Sequence, residues 1–309
     1  MTKASRHQEG TIYGFLAYLI WGAFPLYFNA LHPAGPWEIL AHRIVWTLVL
    51  CGGILLITRD LKWLVTLVRH PKRLAGVTLA GVLIATNWGV YIWAVISGHV
   101  TEAALGYFLN PLVTVALGVV ILGEKLRRMQ WVAVVIGTVA AIYLTFDYGT
   151  PPWISLILAF SFGTYSLLKN RLGISLSALQ SLAGESLMIL PVGIGILVWL
   201  SVHEETTFVG YGTGHMLLLL STGVATAVPL LFFAAAASRI PLSTVGLLQF
   251  LTPILQLLTG VFLLGETVPL TRWAGFAMVW VALVILSLDM LGQVQRSRRI
   301  RRDPVHPAP

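Results

Sequence analysis

The chain has 309 residues, 57% of them hydrophobic and 10% charged, with a mean hydropathy of +0.84 and a formal net charge of +8. Soluble domains carry about a quarter charged residues, so this composition excludes an ordinary water-exposed enzyme and indicates a polytopic membrane protein. The one cysteine, Cys51, lies in an apolar run, which excludes a disulfide framework and a cysteine metal site.

Apolar stretches long enough to span the hydrocarbon recur along the chain with short polar breaks. Ten are predicted, at residues 11–31, 36–57, 74–97, 101–122, 131–148, 152–168, 177–200, 215–238, 243–264 and 271–291. They lack the alternation of barrel strands, and a lone span satisfies its backbone in lipid only as a helix. The expected fold is therefore an all-α integral membrane protein with ten transmembrane helices.

Placing the N-terminus in the cytoplasm puts every Lys and Arg except Arg43 and Arg272 on the inner side, while Glu204 and Glu205 fall outside. This asymmetry predicts both termini inside. The basic run 296–302 then reads as an anchor beside anionic lipid, with no nucleic-acid partner. The first apolar run is long, lacks an obvious small-x-small cleavage site and has a later counterpart, so it is read as a helix and not a signal peptide.

A shift of 142 residues aligns Phe108-Leu109 with Phe250-Leu251, Pro111 with Pro253 and Gly118 with Gly260. It also aligns Gly123-Glu124 with Gly265-Glu266, Trp131 with Trp273 and Asp147 with Asp289. Matches of Pro, Glu, Trp and Asp together exceed what apolar composition produces. With five helices per half, an odd number, the two halves insert in opposite directions. Glu124 is accordingly followed by cations, whereas Glu266 is followed by Thr267, Val268 and Pro269. The predicted units are a cytoplasmic N-terminus (1–10), repeat one (11–148), an inverted repeat two (152–291) and a basic tail (292–309). Inverted repeats are the architecture of alternating-access transporters, with the substrate near the midplane.

Several motifs resemble the EamA-like branch of the drug/metabolite transporter superfamily: AYLIWG (17–22), EILAHRIVW (38–46), NWGVYIWAV (87–95) and EAALGYFLNPL (102–112). RMQW (128–131), AFSFGTY (159–165), VPLLFFAAAA (228–237) and the segment 242–253 continue it, so the resemblance covers roughly residues 10–292. It implies a bacterial inner-membrane permease of two EamA-type halves that transports or exports a small metabolite or drug. It implies no particular substrate and carries over no catalytic residue.

Ionisable residues at membrane depth are expensive and mostly face the bundle interior. In the second span Glu38 and His42, four apart, share a face, and Arg43 lies about 100° round from His42. Arg43 could hold an anionic substrate group and His42 a proton, or the three could form an interhelical lock. Glu185 aligns with Arg43 under the shift and is the best proton-coupling candidate, against neutralisation of a basic neighbour. Asn87 and Tyr91 form a polar, aromatic face in the third span, beside Trp88 and Trp93. Trp37, Trp63, Trp131, Trp153, Trp199 and Trp273 fall near span ends, as an interfacial belt requires.

The Asn110-Pro111 and Thr252-Pro253 pairs are expected mid-helix and symmetry related, freeing the carbonyls of Tyr107 and Gln249. With Asn87, Tyr91, Tyr107, Asn110, Gln249 and Gln256 they define a predicted cavity between the halves, Pro111 and Pro253 acting as helix breaks. No P-loop or HExxH motif occurs and the histidines do not cluster, so no metal, cofactor or catalytic residue is expected. The leading reading is a secondary transporter that exports its substrate by alternating access. The alternatives are an intramembrane enzyme, with Glu38/His42 as its sole candidate acid–base pair, and a non-transporting scaffold. The expected partners are the bilayer and a small substrate. Protons and a second copy of the chain remain open as further partners.

Overall fold

The computed structural model describes residues 3–122, 126–148, 152–172, 176–237, 239 and 248–302, and they contain no strand. Their helices are α1 (Lys3–Gly22), α2 (Phe24–Asn29), α3 (Pro36–Ile57), α4 (Lys62–Arg69), α5 (Pro71–Ile96) and α6 (Val100–Leu122). There follow α7 (Arg128–Tyr148), α8 (Trp153–Leu172), α9 (Ala178–Val202), α10 (Gly212–Ala237), α11 (Leu251–Leu258) and α12 (Leu270–Arg302). Six stretches are long and apolar enough to cross a membrane: Gln8–Asn29, Pro36–Ile57, Pro71–Ile96, Ala178–Val202, Gly212–Phe233 and Leu270–Asp289.

Local chemistry sets the helix ends. Proline opens α3 and α5, where its missing N–H is no loss. At α9 the Ser177 side chain accepts from the Gln180 N–H, and the Gln180 side chain accepts in return from the Ser177 N–H.

Three expectations need correcting. The first span is not one helix: it breaks at Ala23, because Pro25 supplies no N–H and cannot continue the α1 ladder. The Trp21 carbonyl, four residues before that proline, accepts instead from Gln256 Nε2 at 3.2 Å. At Pro253 the expected interruption is present: residues 248–249 are helical, the chain turns at Phe250, and Pro253 lies in the first turn of α11, which runs on into a π-turn at Thr259–Leu263. At Pro111, by contrast, the helix is not interrupted, since α6 stays helical from Val100 to Leu122. One lost backbone bond inside a packed bundle costs less than opening a whole turn. Trp63 is not an interfacial anchor: it keeps 8% of its surface and packs against Gly184 of α9. It belongs to α4, a short amphipathic helix unforeseen in the loop after the second span, which buries Trp63 and Leu67 and exposes Val65 and Val68. The tail is helical as far as Arg302. Glu124 and residues 243–247, part of the expected ninth span, lie outside the described residues.

The dominant packing joins the two halves of the sequence. Helix α3 packs on α9 and α10, α5 on α8 and α9, α6 on α8 and α11, α7 on α12, and α1 on α10 and α11. Pairing α1 with α8, α3 with α9, α5 with α10, α6 with α11 and α7 with α12 converts this set of contacts into itself. Helices α3 and α9 begin 142 residues apart, as do α7 and α12. Close approach between halves depends on glycine. A Cβ on Gly223 would lie 2.4 Å from the Trp46 carbonyl oxygen, so only glycine lets α10 sit this near α3. One turn later in α10 and one turn earlier in α3, that approach brings Thr226 to Arg43.

Candidate substrate and coupling site

Arg43 is the central feature, buried on α3 with 4% of its surface exposed. Its Nε donates to Thr226 Oγ1 on α10 at 2.8 Å, and the Thr226 hydroxyl in turn donates to the Thr222 carbonyl at 2.8 Å. Aromatic rings surround the guanidinium: Trp88 at 4.1 Å, Phe24 at 5.4 Å and Phe28 at 5.6 Å from its Cζ. Desolvated cation–π contacts are worth about 2 kcal/mol each. They offset part of a desolvation penalty that runs to several kcal/mol per ion. Among the described residues no carboxylate pairs with Arg43. The expected cluster of Glu38, His42 and Arg43 therefore divides in two.

Glu38 and His42 form the second part, at the start of α3. Glu38 accepts from the N–H groups of Thr207 (2.7 Å) and Phe208 (3.1 Å) and from the Thr207 hydroxyl (2.8 Å). The carboxylate thus fastens the segment between α9 and α10, replacing the water its backbone would otherwise need. His42 accepts from Trp46 Nε1 at Nδ1 (3.0 Å) and stacks on Phe208 with ring centroids 4.7 Å apart. A neutral ring so bonded carries its proton on Nε2, which faces Glu38 at 3.9 Å, beyond hydrogen-bonding distance.

Glu185 is buried on α9 and is not a lone carboxylate. Its Oε1 accepts from Ser181 Oγ (2.8 Å) and its Oε2 from Tyr165 OH (3.0 Å). Aromatic contacts connect it back to Arg43. Phe28 meets Tyr91 at 5.9 Å, Tyr91 meets Tyr107 at 5.5 Å, Tyr107 meets Phe162 at 6.5 Å, and Phe162 meets Tyr165 at 5.9 Å.

Of the amides and phenols expected to line a cavity, Asn87, Tyr91 and Asn110 are buried and Tyr107 is half-buried. Asn87 joins three helices: its Nδ2 donates to the Leu158 carbonyl (3.1 Å) and Ser161 Oγ (3.0 Å), and its Oδ1 accepts from Tyr107 OH (3.1 Å). The Tyr91 hydroxyl is buried and, among the described residues, has no hydrogen-bond partner. Asn110 lies beside Gly163 of α8. Gln256 is placed apart, against α1, with its Oε1 buried and unpartnered, while Gln249 is half-buried just before α11. Among the described residues no group of three or more His, Cys, Asp or Glu could hold a metal.

Sequence reasoning missed Thr226, Phe24 and Phe28 around Arg43, and Tyr165 and Ser181 around Glu185. Only Ser181 carried a signal, being four residues before Glu185 on one helix face. Glu266 was noticed in the repeated Gly-Glu but not its work: its carboxylate accepts from the N–H groups of Val100 (2.5 Å) and Thr101 (2.8 Å), capping α6 from the other half.

Known proteins bear on this arrangement. The EamA-like transporter family matches residues 8–146 and again 152–288. The protein RarD of Streptomyces exfoliatus is 49% identical, with 96% of this chain and 94% of the relative covered. An uncharacterized transporter of Pseudomonas aeruginosa is 38% identical over 94% of this chain and 96% of its own. RarD of Escherichia coli is 36% identical, covering 96% and 99%. A solved crystal structure at 17% identity superposes with a TM-score of 0.59 over 91% of this chain and 98% of its own, a likeness of fold alone.

Proposed function

This chain belongs to the EamA-like transporter family, a membrane transporter with multiple spans, and from that premise we propose that it is a secondary transporter that exports a small metabolite or drug-like molecule by alternating access. The observation that carries the reading is Arg43 bonded to Thr226. A buried cation on a first-half helix is held by a second-half helix, so relative motion of the halves changes its surroundings. A moving contact of this kind between halves is what alternating access requires.

The architecture proposed for this work is ten crossing helices in two inverted repeats, residues 11–148 and 152–291, with both termini cytoplasmic. Two observations favour inversion. The interhelix contacts are unchanged when the halves are exchanged. In addition, α7 and α12, which exchange with each other, run antiparallel, as an axis in the membrane plane requires. The substrate passage lies beside Arg43, Asn87, Tyr91, Tyr107 and Asn110, with Gln249 on the second half's side, while Gln256, held against α1, stands apart from it. Glu185, with Tyr165 and Ser181, is the proposed proton-coupling group, and Glu38 and His42 hold the loop that closes one end.

Metabolite profiling of cells with and without the protein tests the reading. Expression should lower the internal and raise the external level of at least one small metabolite. Arg43→Ala should remove that change at near-normal membrane abundance. Export that is independent of expression, or undiminished by Arg43→Ala, would refute it.

A further inference from the structure

We propose that the cargo is a small organic monoanion with an apolar or aromatic body, and that the in-plane edge of the Arg43 guanidinium is its anion subsite. This names the substrate class of the transport site and rests on that reading.

The argument starts from donors. A guanidinium carries five N–H donors in a plane and is charged at any biological pH. Here one, on Nε, is used by Thr226, and among the described residues the four on the two Nη atoms have no hydrogen-bond acceptor. Trp88, Phe24 and Phe28 lie against the group as cation–π partners and offer it no hydrogen-bond acceptor. The unused donors include the fork of parallel N–H bonds that matches a carboxylate bidentately.

Charge points the same way. Among the described residues no carboxylate forms an ion pair with Arg43. A buried cation with no such partner favours whatever brings one negative charge. A single cation balances a single anion, which selects monoanions over dianions. Tyr91 adds an independent observation: among the described residues its buried hydroxyl lacks a partner, leaving it available to donate to the same anion. The rings of Phe28, Tyr91 and Tyr107 continue in contact from the guanidinium and provide the surface for an apolar body. Glu185 lies at the far end of this aromatic row, beyond Tyr165, so it does not neutralise Arg43 directly.

The test uses the purified full-length protein in lipid nanodiscs, with benzoate against benzamide and phenylacetate against phenylacetamide, read by calorimetric titration. Each pair differs in charge and barely in shape. The carboxylate should bind at least tenfold tighter than its amide, and Arg43→Gln should abolish that preference while Arg43→Lys keeps part of it. Because Arg43→Gln could impair folding, the comparison within the wild-type protein stands alone, and Trp88→Leu should weaken benzoate binding without touching the charge. Equal affinities, binding of neither carboxylate, or a preference that survives Arg43→Gln overturns the assignment. Export profiling separates the two claims. Expression-dependent export of neutral compounds with no carboxylate binding leaves the transporter standing and removes the anion site. Carboxylate binding that depends on Arg43, without any export, does the reverse.

Discussion

Asp147 near the end of α7 lies 3.3 Å from Arg272 at the start of α12. At the opposite end of the same helix pair, Arg127 just before α7 reaches Asp289 of α12 at 2.5 Å. Asp147 and Asp289 are 142 residues apart, and each pairs with an arginine near the start of the other helix, although Arg127 and Arg272 are not themselves at that spacing. The two pairs join antiparallel helices at both ends of α7. Arg272, the basic residue that stood apart from the inside pattern, has its explanation here. The Asp147–Arg272 pair is partly open to solvent, and such pairs contribute on the order of 1 kcal/mol. Asp147→Asn and Arg272→Gln should therefore each lower thermal stability modestly in detergent. The double variant should be no worse than the weaker single one. Strictly additive losses in a double-mutant cycle would show that the two residues do not interact.

Gly223 should tolerate no side chain. A methyl group there meets the Trp46 carbonyl, which is backbone and cannot swing aside. Gly223→Ala is expected to cost about 1–3 kcal/mol through overpacking and to separate Thr226 from Arg43. Thermal unfolding and export should both fall. Gly195, whose added Cβ meets nothing within 4 Å, is the control, and Gly195→Ala should leave both unchanged.

Asn87 and Asn110 should behave differently, although sequence reasoning grouped them. Asn87 makes three hydrogen bonds to α8 and α6, so Asn87→Leu strands the Tyr107 hydroxyl and the Ser161 side chain. Leaving buried polar groups unpaired costs about 1–3 kcal/mol each, and the first symptom should be reduced membrane abundance. Asn110→Leu and Gln249→Leu should preserve abundance and raise the apparent KM or remove transport. Equal loss of abundance in all three would assign the whole group to packing.

The apolar runs made most of the helices legible, because a span needs length and hydrophobicity and both are local. The second span was read at its observed ends, residues 36–57, owing to Pro36 and the polar Thr58 that follows. Local reading failed where a partner elsewhere decides the outcome. The break at Ala23 is set by Pro25 but stabilised by Gln256, more than two hundred residues away. Helix α4 is too short for a span search, and its buried face depends on Gly184. In the site, Glu38, Arg43 and Glu185 stood out because charge within an apolar run is conspicuous. Thr226 and Tyr165 did not, since a threonine or tyrosine in a membrane helix is unremarkable until the opposite helix presents a charged group. The 142-residue spacing was legible from Pro, Glu, Trp and Asp, and the ion pairs of α7 and α12 supply a physical reason Asp recurs in it.

Glu185 provides the last prediction. Its two oxygens accept from the hydroxyls of Ser181 and Tyr165, which hold the carboxyl group in place between α8 and α9. Glu185→Gln keeps one acceptor oxygen and the shape of the side chain but removes the exchangeable proton. If Glu185 carries the coupling proton, this variant should reach the membrane at near-normal abundance and lose export driven by a pH gradient, while exchange of substrate across liposomes without a gradient survives. Tyr165→Phe, which deletes one hydrogen bond and leaves the carboxyl group intact, should keep gradient-driven export at a reduced rate. Collapse of abundance in Glu185→Gln, with Tyr165→Phe partly affected, would instead make the cluster a packing device between α8 and α9. Equal loss of driven export and passive exchange would place Glu185 in substrate binding.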